Sequence, residues 1–156
     1  MKRLTWISMA IVLSAACLAM GQPKAPPALP AGTMSFMGQL TAARTTVDKD
    51  PAAVLKDVNT NLLKYPNIEL PIALYLKGKA QAALAMKEKD PVKTAMLRQA
   101  ALDFVKVATF FPYSPDAPPA MLEAAKALDA TGDEADKAGA QALVDLKASR
   151  YTDAAE

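Results

Sequence analysis

The chain contains no histidine, one cysteine and one tryptophan, and only 6% of its residues are aromatic. Cys17 and Trp6 both lie in an N-terminal apolar run, so a chain that loses this run has neither thiol nor imidazole. Such a chain cannot use cysteine or histidine as a nucleophile or base, cannot form internal disulfide bonds, and cannot hold zinc through thiolate or imidazole ligands. With only six glycines, the sequence also contains no glycine-rich phosphate loop.

Acidic residues offer no recognisable catalytic constellation either. Three close pairs occur, each where a helix or turn is expected to begin: Asp48 with Asp50, Glu88 with Asp90, and Asp133 with Asp136. Helix capping accounts for carboxylates at such positions. A pair that forms between two helices cannot be found from spacing, because the sequence does not give the separation of the two groups. We therefore expect a protein that is not an enzyme and that uses neither a cofactor nor a metal.

The charge is nearly balanced overall but unevenly distributed. The chain has 18 basic and 16 acidic residues, and the two numbers become equal without Lys2 and Arg3 of the N-terminal segment. A general nucleic-acid binder is more basic than this, so no nucleic-acid partner is expected. From Arg44 to Lys106 there are 11 basic and 7 acidic residues, whereas from Val107 to Glu156 there are 4 and 9. Such polarity can orient a partner or a second copy of the chain, although solvated helix faces of uneven composition also explain it.

Residues 1–21 have the pattern of a signal peptide. A positive start, Met1 to Arg3, precedes the apolar run Leu4 to Leu13, which is too short for a permanent membrane-spanning helix. Two processing routes are open. Small residues at positions 19 and 21 suit cleavage before Gln22, whereas segment 14–17, SAAC, resembles a bacterial lipobox in which Cys17 is lipidated. Either route predicts export to the periplasm or outer membrane of a bacterium, with membrane contact only through the leader or a lipid anchor.

A proline-rich segment, residues 22–33, follows the leader. It reads QPKAPPALPAGT and has neither helical nor strand periodicity. This composition favours an extended, polyproline-like backbone, so we expect either a tether or a disordered terminus. The folded domain is therefore predicted to span residues 34–156, which is long enough to bury a hydrophobic core.

Six helices are predicted in this domain, because segments with apolar residues three and four apart follow one another with short breaks. The predicted helices are residues 34–47, 51–64, 69–87, 91–111, 120–130 and 134–149. Ser114 or Asp116 is expected to cap the fifth, and Asp133 the sixth. Alanine-rich sequence with little β-branching favours helix over strand, so the fold class is all-α, with three antiparallel hairpins.

The fourth helix has the clearest pattern. Asp90 is expected to cap it, Pro91 to occupy its first position, and Pro112 to end it. Lys49-Asp50-Pro51 opens the second helix in the same way, 40 residues earlier, which indicates internal repeats. The apolar stripe predicted along the fourth helix is Val92, Met96, Ala100, Phe104, Val107 and Phe111. The stripe predicted along the third is Leu70, Ala73, Leu74, Lys77, Ala80 and Leu84.

The region from residue 34 to 155 resembles degenerate tetratricopeptide repeats of the bacterial envelope type. Residues 110–154 contain tyrosine, proline and serine, an alanine-rich helix, a Gly-Asp turn, a second helix, and then tyrosine and aspartate. The family pattern is a small residue on the first helix, an alanine and an aromatic on the second, and a closing proline. The positions that match are Gly78, Ala100, Phe104 and Pro112 in the middle hairpin, Gly38 and Pro66 in the first, and Ala125 and Ala138 in the last. These hairpins are longer than the family repeat of about 34 residues.

The resemblance implies a short α-solenoid in which stacked hairpins share a continuous core. It also implies that the first helix of each hairpin lines a curved inner surface, which presents the partner-binding candidates Gln39, Tyr75, Lys79, Leu122 and Lys126. Tyr75 is the foremost of these, because an exposed aromatic is a natural anchor for a partner. An ordinary surface or packing role remains the alternative for each of the five.

The sequence therefore predicts a non-catalytic adaptor or scaffold of the cell envelope that binds a protein or peptide. The second hypothesis is a structural or chaperone-like envelope component that self-associates through its oppositely charged ends. A size that depends on protein concentration would distinguish self-association from peptide binding.

Overall fold

The computed structural model describes residues 36–64 and 71–151, with side chains from 37–60 and 71–151. These residues belong to one compact unit that runs from 34 to 156. Their regular structure is six helices: α1 Phe36–Thr46, α2 Pro51–Lys64, α3 Pro71–Ala85, α4 Val92–Phe110, α5 Ala117–Asp129 and α6 Glu134–Tyr151. The all-α prediction is confirmed for the described residues. The predicted leader, the proline-rich segment and Cys17 lie outside them.

Helix boundaries follow the local start and stop signals closely. α2 has the predicted bounds, and Asp50 caps it by accepting a hydrogen bond from the backbone N–H of Ala53 at 3.0 Å. Asp133 caps α6 in the same manner, accepting from the N–H of Ala135 at 2.8 Å. Between α5 and α6, Gly132 has a φ of 78°, a left-handed conformation that favours glycine and that ends the preceding helix. Capping and turn chemistry therefore decide these boundaries locally.

Two predicted caps are wrong. Pro91 occupies the cap position of α4 without a side-chain cap, and the Asp90 carboxylate instead accepts a hydrogen bond from the Thr94 hydroxyl at 2.7 Å. Asp116 stands at the cap position of α5, but its carboxylate makes no capping bond and binds Arg44. The two Lys-Asp-Pro sequences therefore open their helices differently, because a carboxylate takes whichever donor the surrounding structure brings closest.

Consecutive helices from α2 to α6 pack against one another, and α1 lies against both α2 and α3. The odd-numbered helices also touch, α1 with α3 and α3 with α5. Within the described residues, α2, α4 and α6 make no such contacts with each other. The odd-numbered helices therefore gather on one side of the domain, and the even-numbered helices lie apart on the other.

Two hydrophobic clusters meet at α3. We call the first the valine core; its buried members are Leu40, Val47, Val54, Val58, Ile72, Ala73, Leu76 and Ala80. The second is the phenylalanine core, with Leu74, Ala85, Leu97, Ala100, Ala101, Phe104, Val107, Ala120, Ala124 and Ala127. Because α3 supplies residues to both, it is buried on several sides. The single apolar stripe predicted for α3 was therefore too narrow.

Phe104 is fully buried at the centre of the phenylalanine core, where α3 and α4 approach closely at Gly78. A Cβ atom at position 78 would lie 2.8 Å from Cε1 of the Phe104 ring. Real Cβ contacts are essentially never that short, so the ring occupies space that a side chain on Gly78 would need. The predicted α4 stripe is confirmed at its centre, where Ala100, Phe104 and Val107 are buried, whereas Val92 is half exposed.

Candidate functional site

One stripe of α3 faces the side where the odd-numbered helices meet. Tyr75, Lys79 and Ala82 recur at intervals of four and three residues, so they share one helix face, and Met86 follows in the turn just after α3. Tyr75 is half-buried rather than exposed as expected, and its ring packs edge-on against Phe104 with centroids 5.6 Å apart. Burial raises the pKa of the Tyr75 phenol above its usual value, although the nearby Lys79 ammonium acts in the opposite direction. The predicted anchor is therefore fastened to the phenylalanine core.

Lys79 lies one turn beyond Tyr75 and pairs with a carboxylate from the turn after α1. Its Nζ atom is 3.0 Å from Oδ1 of Asp48. The exposures of the two side chains differ sharply, with 26% for Lys79 and 75% for Asp48. The lysine is thus held within the surface of α3, whereas the aspartate reaches it from solvent.

A second ion pair lies on α5. Nζ of Lys126 is 2.8 Å from Oε1 of Glu123, one turn earlier on the same helix. The hydrogen bond to Glu123 raises the pKa of the Lys126 ammonium, and the Tyr75 phenol contributes weakly in the same direction. The Tyr75 phenol therefore interacts electrostatically with both lysines.

Lys79 on α3 and the Glu123–Lys126 pair on α5 stand on opposite walls of a groove of about 310 Å³. We call it the α3–α5 groove. It is lined by Asp48, Lys79, Ala82, Ala83, Met86, Leu97, Glu123, Lys126, Ala127 and Ala130. Four charged side chains therefore stand around a lining made largely of alanine. From Lys79 to Met86 the lining on this side is about 10 Å long, which matches about three residues of an extended segment. The groove suits a short peptide segment better than a bulky aromatic group, because its alanines leave no deep pocket.

An ion pair spans the domain beside Tyr75. Nη2 of Arg44 on α1 lies 2.6 and 2.7 Å from the two carboxylate oxygens of Asp116 at the start of α5. The residues are 72 positions apart, and their side chains are 41% and 6% exposed. The two charges act on the pKa of the Tyr75 phenol in opposite directions, with Asp116 raising it and Arg44 lowering it. Sequence reasoning missed this contact because no local spacing connects the two residues.

Of the five predicted partner-binding residues, the structure brings two together in the α3–α5 groove, Lys79 and Lys126. Tyr75 lies one turn before Lys79 on α3 and does not line the groove. Leu122 is half-buried on α5 and does not line the groove. Gln39 is exposed and lines a different depression, the α1–α2 groove of about 610 Å³, with Leu40, Ala43, Val54 and Val58.

A buried carboxylate is the other polar feature that the sequence did not reveal. Asp103 on α4 has no exposed side-chain surface, and Nζ of Lys77 lies 3.1 Å from one of its oxygens. Lys106 approaches the other oxygen at 3.5 Å, yet neither approach has hydrogen-bonding geometry. Lys77 lies two residues before Lys79, about 200° around α3, so this cluster is on the far side of the helix from the groove. It acts as an ionic contact between α3 and α4.

The described part of the chain contains no group of three or more acidic, histidine or cysteine side chains that could hold a metal ion. None of the described helices combines the length and the apolar character needed to cross a membrane. Comparison with known proteins adds no family: no protein-family model, curated protein or solved structure matches this chain.

Proposed function

We propose that this chain is a non-catalytic scaffold of the bacterial cell envelope that binds a protein or peptide in the α3–α5 groove. The observation that carries the proposal is the convergence of Lys79 from α3 and Lys126 from α5 onto one recess, with Tyr75 one turn before Lys79 on α3. The groove offers apolar contact and charged groups on both walls, and this combination suits recognition of a peptide. The groove presents charged groups and alanine side chains to a ligand, and these groups can bind a peptide.

The helix arrangement supports a tetratricopeptide-like solenoid as the architecture of this scaffold. Contacts among the odd-numbered helices and separation of the even-numbered ones are expected where hairpins stack along a curved inner face. Gly78 and Phe104, which match the family pattern, lie against each other where α3 crosses α4. α6 also has a polar outer stripe of Glu134, Gln141, Asp145 and Ser149, as a terminal repeat needs for solubility.

The envelope location in this proposal comes from the leader-like residues 1–21 and from the choice between cleavage before Gln22 and lipidation of Cys17. Intact-mass measurement of the protein from its native host tests it. A mature chain that starts at Gln22, or a diacylated Cys17, supports export. Retention of Met1 contradicts it.

Binding is tested with peptides selected on the immobilised full chain from a random twelve-residue display library. We expect reproducible binders that lose affinity for a Tyr75→Ala, Lys79→Ala double variant. The matched control is Tyr113→Ala with Lys137→Ala, which removes the same two side-chain types from surface outside the groove, where Tyr113 is fully exposed. Circular dichroism must show equal helix content in the three proteins.

The control variant shows whether a loss of peptide binding is specific to the groove. Equal losses in both double variants would mean that the binding is nonspecific, and undiminished binding to the groove variant would move the site elsewhere. A library that yields no binder to the wild-type chain contradicts the proposed function itself.

Self-association is the second candidate, and one ridge on α4 favours it. Leu102, Lys106 and Phe110 are spaced four residues apart, and the two apolar members are 56% and 62% exposed. Apolar side chains this exposed can bury themselves against a second copy. Sedimentation velocity over a hundredfold range of concentration tests this candidate. Self-association is supported if the mass of the wild type rises with concentration and the mass of the Leu102→Ser, Phe110→Ser double variant stays that of a monomer.

A further inference from the structure

The two side chains of the Asp48–Lys79 pair in the α3–α5 groove differ in their exposure to solvent, and this difference favours one sign of charge in a partner. Lys79 is 26% exposed and extends from the middle of α3, whereas Asp48 is 75% exposed and sits in the turn that follows α1. If the pair opens, the Asp48 carboxylate returns to water at little cost. The partly buried Lys79 ammonium has less access to water and needs another negative group close by.

This inequality selects the sign of the incoming charge. A basic partner would have to take Asp48 away and leave Lys79 without a counter-charge beneath it, which is unfavourable. An acidic partner replaces Asp48 at Lys79 and leaves only an exposed aspartate in solvent. Exposed ion pairs contribute roughly 0–1 kcal/mol, so displacing Asp48 from Lys79 costs little free energy.

The opposite wall carries a second ion pair in which the inequality is reversed, since the carboxylate of Glu123 is the less exposed partner at 30%. Lys126 is 70% exposed, and its partner Glu123 is a neighbour one turn away on the same helix. Because Glu123 keeps Lys126 as its counter-ion, a segment that lies between α3 and α5 is expected to place its carboxylate at Lys79, with Lys126 on the facing wall. The alanines between them, Ala82, Ala83, Ala127 and Ala130, let a peptide backbone come close to the groove surface.

We infer that the turn after α1 is a built-in competitor for the groove, in which Asp48 holds Lys79 in place of an acidic side chain of the partner. The partner class is an acidic peptide segment. The inference rests on the proposed function, since it concerns the same groove. It also predicts that removing the Asp48 charge tightens binding, whereas a purely structural Asp48 would not do so.

The peptides selected on the wild-type chain supply the probe. We expect enrichment of aspartate and glutamate among them, and we take one binder, labelled with a fluorophore, for anisotropy titrations against full-length variants. Lys79→Gln should weaken this peptide by up to about fivefold. Asp48→Asn should tighten it by up to about fivefold, because the internal competitor is gone.

Two controls separate local competition from a general change of charge. Asp129→Asn removes the same charge from an exposed position at the end of α5 that does not line the groove, and it should change affinity much less than Asp48→Asn. In the Lys79→Gln background, Asp48→Asn should have no further effect, because the residue for which it competes is absent. Persistence of the gain in that background would overturn the inference.

The remaining outcomes separate this inference from the proposed function. Binders that depend on Tyr75 but are not acidic, and that do not respond to Asp48→Asn, leave the groove as the site and overturn the competitor. Weaker binding by Asp48→Asn also overturns it, because Asp48 would then support the site. Failure to select any peptide removes the proposed function and the inference together.

Discussion

The phenylalanine core and the valine core share α3 but pack in different ways. In the phenylalanine core, alanines and Gly78 bring the helices close together around one buried aromatic ring. In the valine core, the described part of α1 contributes one buried apolar side chain, Leu40, and the turn after it contributes Val47, and a groove of about 610 Å³ remains between α1 and α2. Hydrophobic composition alone does not produce close packing. What decides it is whether small residues on one helix match a large residue on the next.

Truncating the central residue of each core should show this difference most strongly. Phe104→Ala is expected to lower the free energy of unfolding by about 3–5 kcal/mol, because it removes a fully buried ring from closely packed surroundings. Val58→Ala in the valine core should cost about 1.5–3 kcal/mol. Urea denaturation followed by circular dichroism measures both. A cost for Val58→Ala equal to that for Phe104→Ala, although far fewer atoms are removed, would contradict looser packing in the valine core.

Adding a methyl group at Gly78 should be the next largest effect. Gly78→Ala places a Cβ against the Phe104 ring and should cost about 1–3 kcal/mol through overpacking. In a Phe104→Leu background the cost should shrink, because the ring that the methyl group meets is gone. The matched control is Gly139→Ala on α6, where the nearest atom would be 3.5 Å away, an ordinary contact.

The control should separate crowding from helix propensity. Gly139→Ala is expected to be neutral or to stabilise by up to about 1 kcal/mol, since alanine is the better helix former. If Gly78→Ala behaves like Gly139→Ala, then α3 and α4 are not as close at this point as the structure has them.

The Arg44–Asp116 pair connects the two regions, since Arg44 lies on α1 and Asp116 begins α5. Arg44→Ala should cost about 1 kcal/mol, because it leaves the buried Asp116 carboxylate without its partner while the arginine itself is well exposed. Native-state hydrogen exchange should then show faster exchange in α1 and unchanged protection in α4. Arg98→Ala is the comparison and should have a smaller effect, because it breaks pairs with Asp133 and Asp136 while the Thr131 hydroxyl still donates to the Asp136 carboxylate.

The smallest predicted effect concerns acid stability near α6. Burial acts to raise the pKa of Asp136, but hydrogen bonds from Thr131 and Arg98 outweigh it and hold the pKa below its usual range. The carboxylate therefore stabilises the fold above the unfolded-state pKa of about 3.9, and this contribution is lost as the pH falls through the lower folded-state pKa. Asp136→Asn should flatten the decline of urea midpoints over that interval, and an unchanged decline would contradict the assignment.

Much of the fold was predictable because its signals are local. Asp50, Asp133 and Gly132 act on backbone groups within three residues, so α2, the start of α6 and the end of α5 lie at or near their predicted positions. The central α4 stripe was predictable for the same reason, since helical periodicity brings Phe104 and Val107 to one face. The absence of histidine from the sequence likewise excluded imidazole chemistry without any structure.

Tertiary packing decided the rest. Whether Asp116 caps α5 or binds Arg44 depends on a residue 72 positions away, and nothing in either local sequence specifies that pairing. The sequence placed Tyr75 on the surface. Only the packing of α4 against α3 brings its ring edge-on against Phe104. Lys79 and Lys126 could be placed on the first helices of their hairpins, but only the contact between α3 and α5 brings them into one groove with Asp48. Local sequence determines which groups a helix presents, and packing determines which of those groups meet, because the distances involved are set by side chains far apart in the chain.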